Sequence, residues 1–559
     1  MSSRRRLGIA LILIVAIVLR VLGIRYGLPS LFYFHDEPQV VLRALRFGTG
    51  DLNPHFFGWP AILLFEVAFV SFIALFIWGR LAGWWKDAAG FAAGYFKDPT
   101  AFYVLARMQS VLSGVWTVWI AEQLGRAAYS PTVGLAAAVG MTVSALHVHY
   151  SHLAHPVIVL TAFMSLGLWA CCKLAVDGDA RDFQVFALAL GLGSAAQYHA
   201  MLLIAPLSVA MMLRVRAEPG GAGRWIGGAS LAVFGGIAIH LLLSPYTLLD
   251  HHQFLHDLNY EATKASGGSA GPRPPLAAIS AFVIDALMPS LTLPVLMLAG
   301  IGSLAALWRR RPADLVLLSF VLSYFLVMSR SGIVNDRYGL PLVLPGLLFA
   351  ARWLEDVFAT VPHIARQRWL VPVSIFMISL PSAARSLETD LTMIRGDTRI
   401  DALHWFEQNV PTNARVVVDM HRFRNTASPP LAENAVRLRE RLEEIRRGDM
   451  VVSGSSRAYE PYYRYQLEHP HPIAYYLRST DMGGAMRPLD SYRADGFEWA
   501  VTSDLARTIH ERSARSGDSL GIRYYLELDR DAELAAEFRP RRWTRMGPVI
   551  RVYRLTRKL

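Results

Sequence analysis

The sequence predicts a polytopic α-helical membrane protein of 11–13 spans over residues 1–384, followed by a soluble α/β domain over 385–559. Three observations carry that reading. Charged residues make up only 18% of the 559, against about a quarter in soluble domains, and the chain is 53% hydrophobic with mean hydropathy +0.31. The shortage is local, with 46 Asp, Glu, Lys and Arg in residues 1–384 (12%) and 54 in 385–559 (31%). Apolar runs of spanning length, or close to it, recur through the first part and stop at 384. Together these exclude a purely soluble enzyme, a disordered chain, a disulfide scaffold and an outer-membrane barrel.

The spans follow in order. Arg4–Arg6 precede the apolar run Leu7 to Ile24, which holds Arg20 and has no small-residue cleavage site behind it, so a signal-anchor helix is expected. Further runs lie at about 60–79, 101–121, 132–148, 156–172, 183–198, 199–213, 226–244, 281–307, 312–329, 339–351 and 369–384. Some fall short of the roughly 20 residues a straight span needs, which predicts kinked or paired half-helices. The stretch 183–213 is too long for one span, and Gln197-Tyr198-His199 marks a turn within it.

Basic loops set the direction. Arg4–Arg6, Arg214/Arg216/Arg224, Arg309–Arg311 and Arg352/Arg366/Arg368 are expected on the cytoplasmic side. That places loops 25–58, 146–155 and 245–280 outside, and requires 59–100 to cross an even number of times. The count of spans is then odd. A multi-pass protein of the cytoplasmic (inner) membrane results, with the C-terminal domain extracytoplasmic. Only 5 of 56 basic residues are lysine, which suggests a GC-rich bacterial genome.

In the tail, Asp397 to Asn409 has helical apolar spacing through Ile400, Leu403 and Phe406. Val416-Val417-Val418, Met450-Val451-Val452, Trp499-Ala500-Val501 and Val549 to Tyr553 are strand candidates. No nucleophile motif or Gly-rich phosphate loop appears there. The net charge of +12 comes from basic helix-end loops (27 basic against 19 acidic residues in 1–384) and a mixed-sign tail, so no nucleic-acid partner is expected. Cys171 and Cys172 are adjacent in an apolar helix and form neither an ordinary disulfide nor a metal spacing.

The first external loop carries the most chemistry. Phe34-His35-Asp36-Glu37-Pro38 is followed by Asp51-Leu52-Asn53-Pro54-His55 and Trp59-Pro60. Adjacent carboxylates beside hydrocarbon are expensive to desolvate. Two readings stand at this point. The pair caps an amphipathic helix over 38–48 (Val40, Val41, Leu45, Phe47), or one carboxylate, its pKa raised by burial, serves as general base on a hydroxyl acceptor.

This loop, with its Asp-Glu pair, Gly-Asp-Leu-Asn-Pro turn and Trp-Pro helix entry, resembles the GT-C superfamily of integral-membrane glycosyltransferases, in particular the protein O-mannosyltransferase and lipid A aminoarabinose transferase type. The resemblance continues at Asp98-Pro99-Thr100-Ala101-Phe102-Tyr103, His149-Tyr150-Ser151-His152-Leu153-Ala154, Ser244-Pro245-Tyr246, Asp257-Leu258 and Arg337-Tyr338-Gly339-Leu340-Pro341. It ends at Asp397-Thr398-Arg399 with Trp405 and Asn409-Val410-Pro411, spanning about 30–410 in order. It implies a GT-C-like fold and transfer, with inversion, of a sugar from a polyprenyl-phosphate donor to a hydroxyl acceptor of unknown kind at the outer face of the bilayer. By this analogy Asp36 takes the acceptor proton and Glu37 orients it or the sugar. The leaving phosphate needs a counter-charge. Arg337 with Tyr338 is the first candidate and Lys264 the second; a salt bridge of Arg337 to Asp336 and a loop position for Lys264 are the plainer alternatives. His55, Tyr150 and His152 are expected at the substrate cavity.

The chain departs from that family at His155-Pro156-Val157, where relatives commonly carry an acidic residue, and at Gln197, where many carry a lysine. His147, His149, His152 and His155, with His251, His252 and His256 in another loop, raise a metal site, but zinc needs three or four converging ligands. On a helix His152 and His155 share a face, whereas His147 and His149 do not share one with each other. No cofactor is therefore expected, and no metal-binding residue is assigned. A transporter or flippase of a lipid-linked substrate is the competing class, and a catalytically inactive relative the third. Few charges within the spans (Arg20, Glu66, Arg107, Asp285) and an acidic pair in a loop favour the enzyme.

Overall fold

The computed structural model describes residues 3–31, 36–267, 273–419, 427–447, 460–480, 486–514 and 519–555. The chain forms two compact units. One comprises Met1–Ile24, Gln39–Leu75 and Tyr103–Leu387, the other Arg25–Pro38, Phe76–Phe102 and Glu388–Leu559.

The first unit is helical. Among the described residues five helices are long and apolar enough to cross a bilayer: Ile62–Leu81, Thr100–Ala128, Pro156–Val176, Tyr198–Ala217 and Pro219–Leu243. Three bent pairs add further candidates: Pro131–Thr142 with Ala145–Ser151 (60°), Pro275–Leu291 with Leu293–Arg309 (107°), and Leu370–Ile378 with Leu380–Arg395 (58°). The runs expected at 132–148, 281–307 and 369–384 are thus broken helices. At 281–307 the break falls at Thr292, whose φ of 59° lies in the left-handed region. The long stretch 183–213 divides as expected: a helix ends at Ala196, a 3₁₀ turn runs Tyr198–Leu203, and a second helix starts at Ile204.

Local sequence explains several starts. Ser130 accepts the Val133 N–H ahead of Pro131, and Asp179 and Asp182 form a capping box on Ala180–Ala196. Close packing needs glycine where helices Thr100–Ala128 and Pro131–Thr142 meet, because a Cβ on Gly125 would lie 2.6 Å from the Gly134 Cα. Some buried polar groups in this unit are tied across long sequence separations. The buried Arg20 donates to the carbonyls of Met141 and Thr142, at the end of Pro131–Thr142, and lies 2.9 Å from His147 Nδ1. Arg5 pairs with the buried Glu122.

In the second unit, five strands among the described residues make one sheet: β1 (Arg415–Asp419), β2 (Tyr476–Thr480), β3 (Trp499–Ser503), β4 (Glu533–Phe538) and β5 (Ile550–Arg554). Their order is β2-β1-β3-β5-β4, with β2, β1 and β3 parallel and β5 antiparallel to both β3 and β4. Alternation along β1 supplies both cores. Val416 and Val418 pack with Phe406, Trp499 and Ile550, while Val417 packs with Tyr492, Ala500 and Tyr524. The expected strands at 416–418, 499–501 and 549–553 are present, and the helix expected at 397–409 spans Thr398–Asn409. Met450–Val452 lies outside the described residues.

Residues remote in sequence complete this unit. The Tyr26 hydroxyl donates to Asp397, whose carboxylate is also held by Arg399 at 2.7–2.8 Å. Phe96, from the helix Ala88–Lys97, packs against Tyr465 (ring centroids 5.6 Å apart).

Candidate functional site

The acidic pair stands at a helix start. Glu37 opens the helix Glu37–Phe47, with Pro38 behind it, so both carboxylates lie where the positive end of the helix dipole favours negative charge. The expected amphipathic helix is therefore present. Glu37 is fully buried and Asp36 half-buried. A buried carboxylate at a helix N-terminus is compatible with either a structural or a chemical role. Phe34 and His35 lie outside the described residues.

Within the helical unit, the loop motifs form two clusters. In the first, the turn after Gly50 is held by the segment that begins at Asp250. Asn53 Nδ2 donates to Asp250 at 2.8 Å, and the Phe57 N–H donates to Asp257 at 2.7 Å. Tyr198 closes the same turn through its hydroxyl to the Phe57 carbonyl, 3.0 Å. His55 sits at φ 48°, a left-handed position uncommon for a non-glycine residue. Its Nε2 is 3.2 Å from Asp51 and its Nδ1 3.8 Å from Asp250. The ring bridges two carboxylates through opposite nitrogens, a clamp rather than a convergent ligand set. Burial works against ionisation of Asp51, yet Arg46, the Asn53 N–H and His55 hold its carboxyl below the usual range.

The second cluster joins residues nearly 190 positions apart. Tyr150, near the end of Ala145–Ser151, donates its hydroxyl to Asp336 Oδ1 at 2.8 Å, and the Arg337 N–H donates to the same oxygen at 2.7 Å. The Arg337 guanidinium lies 5.8 Å from the Tyr338 ring centroid and also acts on the Tyr150 phenol. Tyr338 in turn faces His199, with ring centroids 6.4 Å apart. Asp336, considered from sequence only as a salt-bridge partner for Arg337, positions Tyr150 and its own loop. The signal was an Asp-Arg-Tyr run just ahead of an apolar segment.

The other expected residues fall elsewhere. Lys264 is in the last turn of the helix His251–Ala265, not on a loop, and donates to Glu261 at 2.9 Å. His152 Nε2 bonds the Leu22 carbonyl at 2.7 Å. His152 and His155 do not share a helical face, a correction to the expectation, because the helix ends at Ser151 and His155 caps the next one by accepting the Val157 N–H. Pro156 forces this, since the residue before a proline is disfavoured in the α conformation. His155 also lies alongside Trp59 (centroids 6.1 Å, planes 18° apart) and Tyr150. Among the described residues no three His, Cys, Asp or Glu side chains converge as a metal site.

The chain has recognisable relatives. Residues 102–242, about a quarter of it, match the family described as dolichyl-phosphate-mannose-protein mannosyltransferase. The fold matches that of the Archaeoglobus fulgidus oligosaccharyltransferase in complex with Zn and sulfate, at 11% identity and TM-score 0.51, covering 94% of this chain and 71% of that one. ArnT from Cupriavidus metallidurans, bound to undecaprenyl phosphate, is similar over 98% of this chain and 97% of its own, at 13% identity and TM-score 0.48. No curated protein sequence matches. The resemblance to GT-C membrane glycosyltransferases carried by the motifs is borne out, as is a polytopic helical fold with a small C-terminal sheet.

Proposed function

We propose that this GT-C-type membrane glycosyltransferase moves a sugar from a polyprenyl-phosphate donor to a hydroxyl acceptor at the extracytoplasmic face of the inner membrane. The observation that carries the reading is the Tyr150–Asp336–Arg337–Tyr338 cluster: a guanidinium and two phenols gathered around Asp336, in a helical unit whose residues 102–242 match a family described by a lipid-phosphate sugar. Such a group suits a leaving phosphate.

In the proposed step the acceptor oxygen attacks the sugar C1 from the face opposite the phosphate. The C1–O bond to the polyprenyl phosphate breaks with its electron pair, Asp36 receives the hydroxyl proton, and the configuration inverts. Glu37 orients Asp36 or the sugar. Arg337, with Tyr338 and Tyr150, offsets charge developing on the leaving phosphate. His55, clamped between Asp51 and Asp250, shapes the cavity rim. The step needs no cofactor, since Arg337 supplies the cation.

Two observations favour this sidedness: Arg4–Arg6 suit a cytoplasmic start for the first helix, and Tyr26, just past that helix, bonds Asp397 at the start of the tail within the second unit.

The test uses purified protein in nanodiscs with a panel of polyprenyl-phosphate sugars and membrane extract as acceptor. Release of free polyprenyl phosphate is expected from the wild type and is lost in Asp36→Asn. Undiminished release in that variant removes Asp36 as base. No release with any donor sinks the transferase reading in favour of lipid-substrate transport or an inactive relative.

A further inference from the structure

The tail carries an open, polar cleft of about 660 Å³ that the proposed transfer does not use. Two charged walls of opposite balance line it. On the strand side Glu537 accepts from both Arg551 (2.8 Å) and Arg539 (2.6 Å), leaving that wall net positive. On the helix side Arg507 pairs with Glu511 (3.1 Å) and Asp529 (2.9 Å), and Asp504 accepts the Val549 N–H (3.0 Å), leaving it net negative. Leu534 is the one apolar residue of the lining.

These features select the ligand's chemistry. A peptide side chain or lipid tail needs an apolar pocket, and one leucine does not make one. A phosphate or carboxylate meets three guanidiniums that already hold carboxylates, in a lining whose formal charge is net negative. A neutral ligand rich in hydroxyls fits both walls, because each hydroxyl both donates and accepts: it can give to the carboxylates and take from the guanidiniums. The ion pairs hold these groups in place, which lowers the entropy cost of binding.

We propose that this cavity binds a neutral glycan, the carbohydrate portion of the acceptor. The assignment to the acceptor rests on the transferase reading, whereas glycan binding itself does not.

Saturation-transfer NMR on the full-length protein in nanodiscs, with mannotriose and maltotriose as probes and empty nanodiscs as blank, tests it. The wild type should transfer saturation to at least one probe. Arg551→Ala, and Thr508→Trp, which fills the space from an exposed helix position, should each reduce it at least five-fold. No transfer in the wild type, transfer unchanged in both variants, or displacement of the probe by millimolar inorganic phosphate overturns the proposal. If glycan binding behaves as expected while no donor releases polyprenyl phosphate, the transferase reading fails and the binding site stands.

Discussion

The two units handle charge in opposite ways. In the helical unit several buried polar groups find partners far along the chain, as when Arg20 reaches the carbonyls of Met141 and Thr142 and Tyr150 reaches Asp336. In the sheet unit, charges pair mostly with near neighbours at half-exposed positions, as in Arg464–Glu460 and Arg437–Glu440. In a membrane an unpaired polar atom has no water to turn to, so few are kept and each is costly to lose. In the tail water competes for every pair, so a single exposed bridge is worth only about 0–1 kcal/mol. One exception is Asp419, fully buried at the end of β1 and held by the Ser503 N–H (2.9 Å), the Tyr525 hydroxyl (3.0 Å) and Ser428.

The sharpest test of this contrast is in the first loop. Asp36→Asn is expected to slow polyprenyl-phosphate release by about 10²–10⁴-fold, the usual worth of a general base. Arg337→Gln should cost about 10²–10³-fold in the same assay, as loss of a charge-stabilising donor does, with little change in thermal stability. A matching loss of stability would make Arg337 structural.

Arg20→Leu breaks the comparison from the stability side. It strips the helix-end carbonyls and His147 of their donor, an expected loss of about 2–4 kcal/mol, visible as earlier thermal unfolding in detergent. A shift no larger than that of Arg464→Leu in the tail would abolish the distinction between the units.

Asp419 gives a pH signature confined to the tail. Burial pushes its carboxyl up to about 7, against the three donors that favour ionisation, with nearby Asp504 raising it further. A folded-state pKa raised above the unfolded value means a contribution present at low pH and lost as pH rises through about 7. The unfolding temperature of the tail should therefore fall by roughly 3–8 °C between pH 5 and 8, and Asp419→Asn should flatten that slope. A rising slope would show that the donors outweigh desolvation. The smallest effect is expected at Lys264: already paired with Glu261, it should lose less than about tenfold in release on change to Ala, and EDTA should leave release unchanged.

Much of the architecture was legible because it depends on composition over many residues. The fall in charge before 384, the apolar runs and the valine-rich β1 are averages that no single contact reverses. The Asp36–Glu37 pair was visible as residue types out of place beside hydrocarbon, and Arg337-Tyr338 through the resemblance of its motif. Short-range conflicts were harder. Glu533–Phe538 has the Glu, Leu and Ala of a helix, yet it is edge strand β4, because pairing with β5 overrides propensity. Tyr476–Thr480 lacks clean alternation and is β2 through its parallel register with β1. Pro156 in the sequence already denied His152 and His155 a shared helix.

The sequence by itself thus determined which parts prefer hydrocarbon, where helices start at Ser130, Asp179 and Asp397, and which residue types are available for chemistry. Only tertiary structure decided that Tyr26 closes on Asp397, that Asp336 serves Tyr150, and that Asp250 and Asp257 hold the turn at 51–57. Those bonds span roughly 190 to 370 positions. Nothing local selects such a partner; it is chosen when packing removes water and leaves each polar group only what the fold brings to it.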